Sequence, residues 1–209
     1  KASFNELANV YPTELQLGIL KLLKGTKMKR DALEFGYVAS EYPPYEVIKT
    51  PWLNADEMKT INTAAKGVDL TLNRNLLEVT IKYLNDHYYD GNLFRLYYEL
   101  GTIFDDLGIG YQKHQLFMLI YDKFKMMIDE NILKTLLTID YFEQEDVAHI
   151  NKRLVDSELF AQEEIYRYSR VFKDHRYEDS YVVALFNSKQ QPCTVYTVDL
   201  KENVCQKIS

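Results

Sequence analysis

The sequence predicts a mainly α protein of the α+β class, a helical bundle with a short α/β piece before it and a β-hairpin after it. Three observations predict this. Helical apolar periods recur, with short breaks, over roughly residues 54–154. A proline-rich extended stretch, residues 42–53, separates them from a start that alternates strand-like and helical pieces. Near the C-terminus two runs are rich in β-branched and aromatic residues, the composition of strands.

Residues 3–9 read as a short helix, with Ser3 as N-cap and Glu6 three positions on completing a capping box. Pro12 is its stop. Leu15, Leu17 and Ile19 then alternate with Glu14, Gln16 and Gly18, a period of two that predicts a strand. Gly25-Thr26 is a turn, and residues 27–35 form a short helix with Gly36 as the left-handed residue after it. One strand is not a sheet, so this start reads as the end of something larger.

Residues 42–53 hold three of the five prolines and the single tryptophan. Each proline fixes its own φ and biases the residue before it away from helix, so the strap runs extended. Large aromatics mostly pack inside, which makes Tyr45 and Trp52 expected core residues of a buried crossover. Left uncovered, the same stretch is a ligand for a partner's groove or a surface for substrate. Tyr45, Glu46 and Trp52 are therefore interface candidates.

Asn54 caps the next helix, whose first turn carries Asp56 and Glu57 where the helix dipole favours acids. Residues 74–89 place Leu76, Leu77, Thr80, Tyr83, Leu84, His87 and Tyr88 on one face. Residues 93–107 present Leu93, Leu96, Tyr97, Leu100 and Phe104, and residues 111–128 present Leu116, Phe117, Ile120, Phe124, Met127 and Ile128. A helix over residues 131–142 and a further one over 143–154 complete a run that suits an antiparallel bundle. Residues 181–186 and 194–198 flank a loop of turn-formers and predict a hairpin, with residues 165–172 as a third strand.

The 209 residues are 46% hydrophobic and 27% charged, ordinary for a globular protein. Tyrosine is the outlier, 17 copies against 10 phenylalanines. A net charge of −6 disfavours wrapping a nucleic-acid backbone. No apolar run approaches a membrane span and no signal peptide opens the chain, so a cytoplasmic location away from membranes is expected. His87, His114, His149 and His175 form no HxxxH or HxH pair, and no metal site is expected. The acidic groups Asp105-Asp106 and Glu143, Glu145, Asp146 read as caps or solvated faces. Lys21, Lys24, Lys27, Lys29 and Arg30 surround Gly25-Thr26, whose turn opening a helix is an anion-binding candidate. It matches neither GxxxxGK[ST] nor GxGxxG. Cys193 and Cys205 are the only cysteines, too few for a four-cysteine zinc or three-cysteine cluster site. No catalytic residue is assigned.

A family resemblance rests on residues 14–26, with Leu15, Gly18, Gly25 and Thr26, and on Ala32, Gly36, Pro43-Pro44-Tyr45-Glu46-Val47 and Trp52-Leu53. These resemble the junction where the catalytic barrel of cobalamin-binding radical S-adenosylmethionine (radical SAM) proteins meets their uncharacterised C-terminal domain. Tyr88-Tyr89-Asp90-Gly91-Asn92-Leu93-Phe94 is similar to a tyrosine-and-glycine helix junction in that domain, with Tyr89-Asp90-Gly91 where Asn-Ser-Gly is usual. Tyr89 and Gly91 therefore join the interface candidates.

The resemblance implies that residues 1–40 are the end of a radical SAM barrel, 41–160 a helical accessory domain, and 161–209 a small hairpin region packed on the helices. It implies an upstream barrel of the same polypeptide as partner. That parent would hold a [4Fe-4S] cluster through CxxxCxxC, bind S-adenosylmethionine and, in an N-terminal domain, cobalamin. None of these cofactors is expected on this chain. The domain would cover the barrel and contribute substrate or partner contacts without catalysing anything alone. The competing reading is a free-standing helical interaction module; a bare barrel edge would also allow pairing with a second copy, a homodimer. Either the parent enzyme or the module would present an apolar patch around residues 15–23.

Overall fold

The computed structural model describes residues 1–105, 107 and 110–143, and four strands beyond them. The protein is mainly helical, with a small two-stranded antiparallel sheet near its start. It divides into two compact units, residues 1–74 with 85–106 and residues 75–84 with 107–209.

In the first unit, α1 (Ala2–Ala8) is followed by an extended run, then α2 (Lys27–Asp31), β1 (Val38–Ala39), β2 (Val47–Lys49), α3 (Ala55–Leu70) and α5 (Leu93–Asp105). Ser3 is not the N-cap of α1. Lys1 holds that place, its carbonyl accepting from Asn5 N at 3.0 Å, so Ser3 already lies inside the first turn. Residues 15–22 are extended but form no strand of a ladder. A side chain clamps them instead: Leu15 N donates to Asn73 Oδ1 at 2.9 Å, and Asn73 Nδ2 donates back to the Leu15 carbonyl at 3.0 Å. Their one strand-like contact is the bridge from Lys21 to Glu46. An alternating pattern specifies extended backbone, and a ladder needs a neighbour along its whole length.

Thr26 caps α2, its Oγ1 accepting from Lys29 N at 3.2 Å. The α-helix ends at Asp31, and hydrogen-bonded turns carry the chain to Gly36, which takes the expected positive φ of 69°. Leu22, Ala32, Val47 and Met58 close a small core here, with Tyr37 and Leu53 packed against it.

Asn54 and Glu57 form a reciprocal capping box on α3, side chain to backbone at 2.9 and 2.8 Å. Helices α3 and α5 then pack with backbones touching. A Cβ on Gly67 would strike the Tyr97 carbonyl, and one on Gly101 would strike that of Thr63. The five apolar residues expected on the α5 face are all buried. Phe4 of α1 seats edge-on against Phe94 and Tyr97, 5.5 and 6.1 Å between centroids.

The helix expected over residues 74–89 starts later and is in two parts. A 3-10 turn (Leu72–Arg74) precedes it, α4 (Glu78–Leu84) is the first part and a π-helical turn (Asn85–Tyr89) the second. Asn75 and Leu77 have positive φ and interrupt the path. The wider π turn slips the buried face by one residue, so Tyr89 is inside while His87 and Tyr88 are exposed.

The second unit holds α4, α6 (Lys113–Phe124) and α7 (Glu130–Glu143). From Thr135 to Tyr141 every residue of α7 is buried, which makes it the unit's central helix. Phe117 packs edge-on against Tyr141 at 5.2 Å. Met127, expected on the inner face of α6, lies beyond the helix end and is exposed. Strands β3 (Tyr168–Lys173), β4 (Ser180–Phe186), β5 (Pro192–Asp199) and β6 (Val204–Lys207) pair antiparallel in that order. The predicted hairpin is β4–β5, the third strand is β3, and β6 was not anticipated. The helix expected over 143–154, apart from its first residue, lies outside the described residues, as do His149 and His175.

Candidate interaction surface

The strap is not a buried crossover. Trp52 is 77% exposed and so is Tyr42; both lie in bends outside β2, which itself turns only Val47 inward. The Trp52 ring meets that of Tyr37 edge to face, 6.4 Å between centroids. Gly36 packs against Pro51, and Leu33 and Phe35 just before it in the chain are exposed. Tyr45 is half-buried with φ of 62°, and the Lys24 ammonium lies 5.3 Å over its ring. Its carbonyl accepts from Leu22 N, and Val47 N donates to the Leu20 carbonyl, both at 2.9 Å. Glu46 projects the other way and meets Lys21 at 3.9 Å. Tyr45 and Glu46 thus meet the basic run through Lys24 and Lys21, while Trp52 meets Tyr37.

At the Gly25-Thr26 turn, Gly25 has φ of 83°. Two amides that an anion would use are already engaged. Thr26 N donates to the Leu23 carbonyl at 3.3 Å, and Lys29 N to Thr26 Oγ1. The Arg30 guanidinium donates to the Gly25 carbonyl at 3.2 Å. The basic run remains exposed around Leu23 and Met28.

Tyr89 and Gly91 belong to a different place, the junction that receives α1. The Tyr89 hydroxyl donates to Glu99 Oε2 at 2.8 Å, while Arg95 pairs with Glu99 Oε1 at 2.9 Å and lies 5.5 Å over the tyrosine ring. Burial, then the bond to Glu99, pushes the Tyr89 hydroxyl far above its usual range, so it stays protonated. The Gly91 carbonyl accepts from Asn9 Nδ2 at 2.8 Å. Around it runs a chain of asparagines that composition gave no reason to connect. Asn85 Nδ2 donates to Asn9 Oδ1 at 2.8 Å and to the Tyr11 hydroxyl at 3.0 Å. Phe94 N donates to Asn5 Oδ1 at 2.8 Å, and Asn5 Nδ2 reaches Asn92 Oδ1 at 3.3 Å. The available signal was Asn5 and Asn9 one turn apart on a helix, residues that helix interiors otherwise avoid.

Asp140 in the second unit also escaped the sequence. Fully buried on α7, its two carboxylate oxygens accept from Val79 N at 2.8 Å and Thr80 N at 2.9 Å, capping α4 from 60 residues away. Burial pushes its carboxyl up to about 7, with the Glu78 charge adding, against the Thr80 hydroxyl and the two amides. Thr80 Oγ1 lies near enough to favour the charged form but out of line for a hydrogen bond.

These arrangements hold structure together and present a surface; they do not assemble a nucleophile with a base. Among the described residues no group of three His, Cys, Asp or Glu is placed to hold a metal ion. No helix among them is long and apolar enough to cross a membrane. With two cysteines the chain does not supply the ligands of a three-cysteine cluster. A family model described as "Protein of unknown function (DUF4080)" matches residues 33–198. No curated protein and no solved structure matches the chain.

Proposed function

We propose, from the premise that the chain belongs to the DUF4080 family of proteins of unknown function, that it is a docking domain without catalytic residues of its own. Its place is the C-terminal accessory domain of a cobalamin-binding radical SAM enzyme. There it covers the catalytic barrel, keeps water from radical chemistry and adds substrate or partner contacts. The family premise stops short of that enzyme class; the likeness of residues 14–53 to a barrel-end junction is what suggests it.

The observation that carries the docking role is the bare side of residues 20–52. Leu23, Leu33, Phe35, Tyr42 and Trp52 are all more than half exposed there, where a self-contained domain would bury most of them. The cluster, S-adenosylmethionine and cobalamin would belong to the parent, outside this chain.

Anaerobic expression of the full-length gene product tests the reading, through its iron content and reductive cleavage of S-adenosylmethionine. About four irons per chain, from one four-iron cluster, together with cleavage, support it. No iron and no cysteine triad upstream remove the radical SAM assignment. The same exposed strap then favours a free-standing protein interaction module.

A further inference from the structure

We infer that the surface seated on residues 20–52 is a protein face with an apolar centre and a rim of carboxylates. The inference rests on the docking role proposed above and adds the chemistry of the partner. The centre follows from Leu33, 86% exposed, and Trp52, which offer aliphatic and indole area to a complementary hollow.

The rim follows from the charges interleaved with the exposed Leu23 and Met28, on the turn and helix that lead to Leu33. Lys21, Lys24, Lys27, Lys29 and Arg30 carry five positive charges, with no acid anywhere in residues 21–30. Of these five, only Lys21 meets a carboxylate among the described residues, and at 3.9 Å. Lys24 rests on an aromatic ring, which leaves its charge unneutralised. Covering these cations with an uncharged face would strip their water and return nothing, so a stable cover supplies anions opposite them.

A lipid surface meets the apolar groups and the lysines but not the acids. Glu34 lies between Leu33 and Phe35, and Glu41 adjoins Tyr42, all of them exposed. An anionic headgroup layer would repel both glutamates, whereas a folded protein places each charge opposite its complement. A second copy of the chain would be an alternative cover, and the test separates it.

The experiment is carbodiimide coupling of the full-length protein, which joins ammonium and carboxylate groups in contact, followed by peptide mapping. Lys66 and Asp105, 2.8 Å apart, are the internal control. The expected result is links from Lys24, Lys27 or Lys29 to Asp or Glu outside these 209 residues. A Lys24→Glu, Lys27→Glu variant should lose them and show several-fold more hydroxyl-radical oxidation at Trp52. The control link without any partner link overturns the inference, as do links found only between two copies. Co-flotation of the 209-residue chain with phosphatidylcholine–phosphatidylglycerol vesicles, with a blue shift of Trp52, overturns it in favour of lipid. The docking role fails separately: Trp52 and Leu33 would then oxidise as fast in the full-length protein as in the 209-residue chain.

Discussion

Gly67 on α3 and Gly101 on α5 face one another across a crossing where neither helix has room for a side chain. Gly67 lies against the Tyr97 carbonyl and Gly101 against that of Thr63, so the two backbones are in direct contact. Such an approach favours weak Cα–H···O contacts and tight packing of the flanking side chains. Any Cβ there meets main-chain atoms, which cannot rotate away. Gly67→Ala and Gly101→Ala should each cost about 1–3 kcal/mol or more in urea unfolding. An unchanged midpoint for both would mean that the helices do not cross here.

Asp140 gives the second unit a pH dependence whose sign follows from its raised pKa, about 7 against an ordinary 3.8. Below the lower value both folded and unfolded chains carry the proton, and the residue adds no penalty. Between the two values the folded chain holds a proton that the unfolded chain releases, so stability falls as pH rises. Above about 7 the loss is complete. Asp140→Asn should therefore gain on the parent protein between pH 4 and 7. Urea midpoints at several pH values measure the difference; parallel curves would count against a raised carboxyl. Asp140→Ala leaves two buried amides without acceptors and should cost at least about 1–3 kcal/mol at any pH.

Asn9 ties α1 to the junction through Gly91 and Asn85. Asn9→Ala removes a donor and an acceptor from a half-buried site and should cost about 1–3 kcal/mol. Amide exchange over residues 2–8 should accelerate more than exchange in α3. Equal protection in the variant would show that Phe4 and Asn5 suffice to hold the helix in place.

Asn54→Ala should destabilise the first unit by about 1 kcal/mol, since it removes the acceptor for Glu57 N and half of the capping box. Asn54→Asp retains an acceptor, so it should stay near the parent value. Thermal melts of the two variants make the comparison.

Trp52 is the only tryptophan, which makes intrinsic emission a direct report on the strap. With 77% of its surface exposed, it should emit like indole in water and be readily quenched by acrylamide. Trp52→Ala and Leu33→Ser should change the chain's own stability by no more than about 0.5 kcal/mol, while weakening docking. A blue emission maximum in the free chain would contradict an uncovered strap.

Much of this protein is local and therefore legible in the sequence. The α5 face of Leu93, Leu96, Tyr97, Leu100 and Phe104 follows from a 3.6-residue period. The Asn54 cap and the positive φ of Gly25 and Gly36 follow from what those side chains permit within a turn or two. The β4–β5 pairing follows from two β-rich runs flanking a short loop of turn-formers.

The candidate surface was legible in outline only. Tyr45 and Glu46 meet the basic run through Lys24 and Lys21 and Trp52 meets Tyr37, but general burial trends put Trp52 inside and the structure puts it outside. Tyr89 and Gly91 stand apart from them, in the asparagine junction.

Sequence by itself determined that most of residues 54–143 is helical, where α3 begins, and which side of α5 is apolar, because those depend on neighbours a few positions away. Tertiary structure decided the rest. The π turn that swaps Tyr88 for Tyr89 was not written in any local period, and neither was the clamp of Asn73 on Leu15 or the cap that Asp140 lends to α4. Each exists because residues tens of positions apart are folded into hydrogen-bonding distance, and a buried polar group takes whatever partner the fold brings to it.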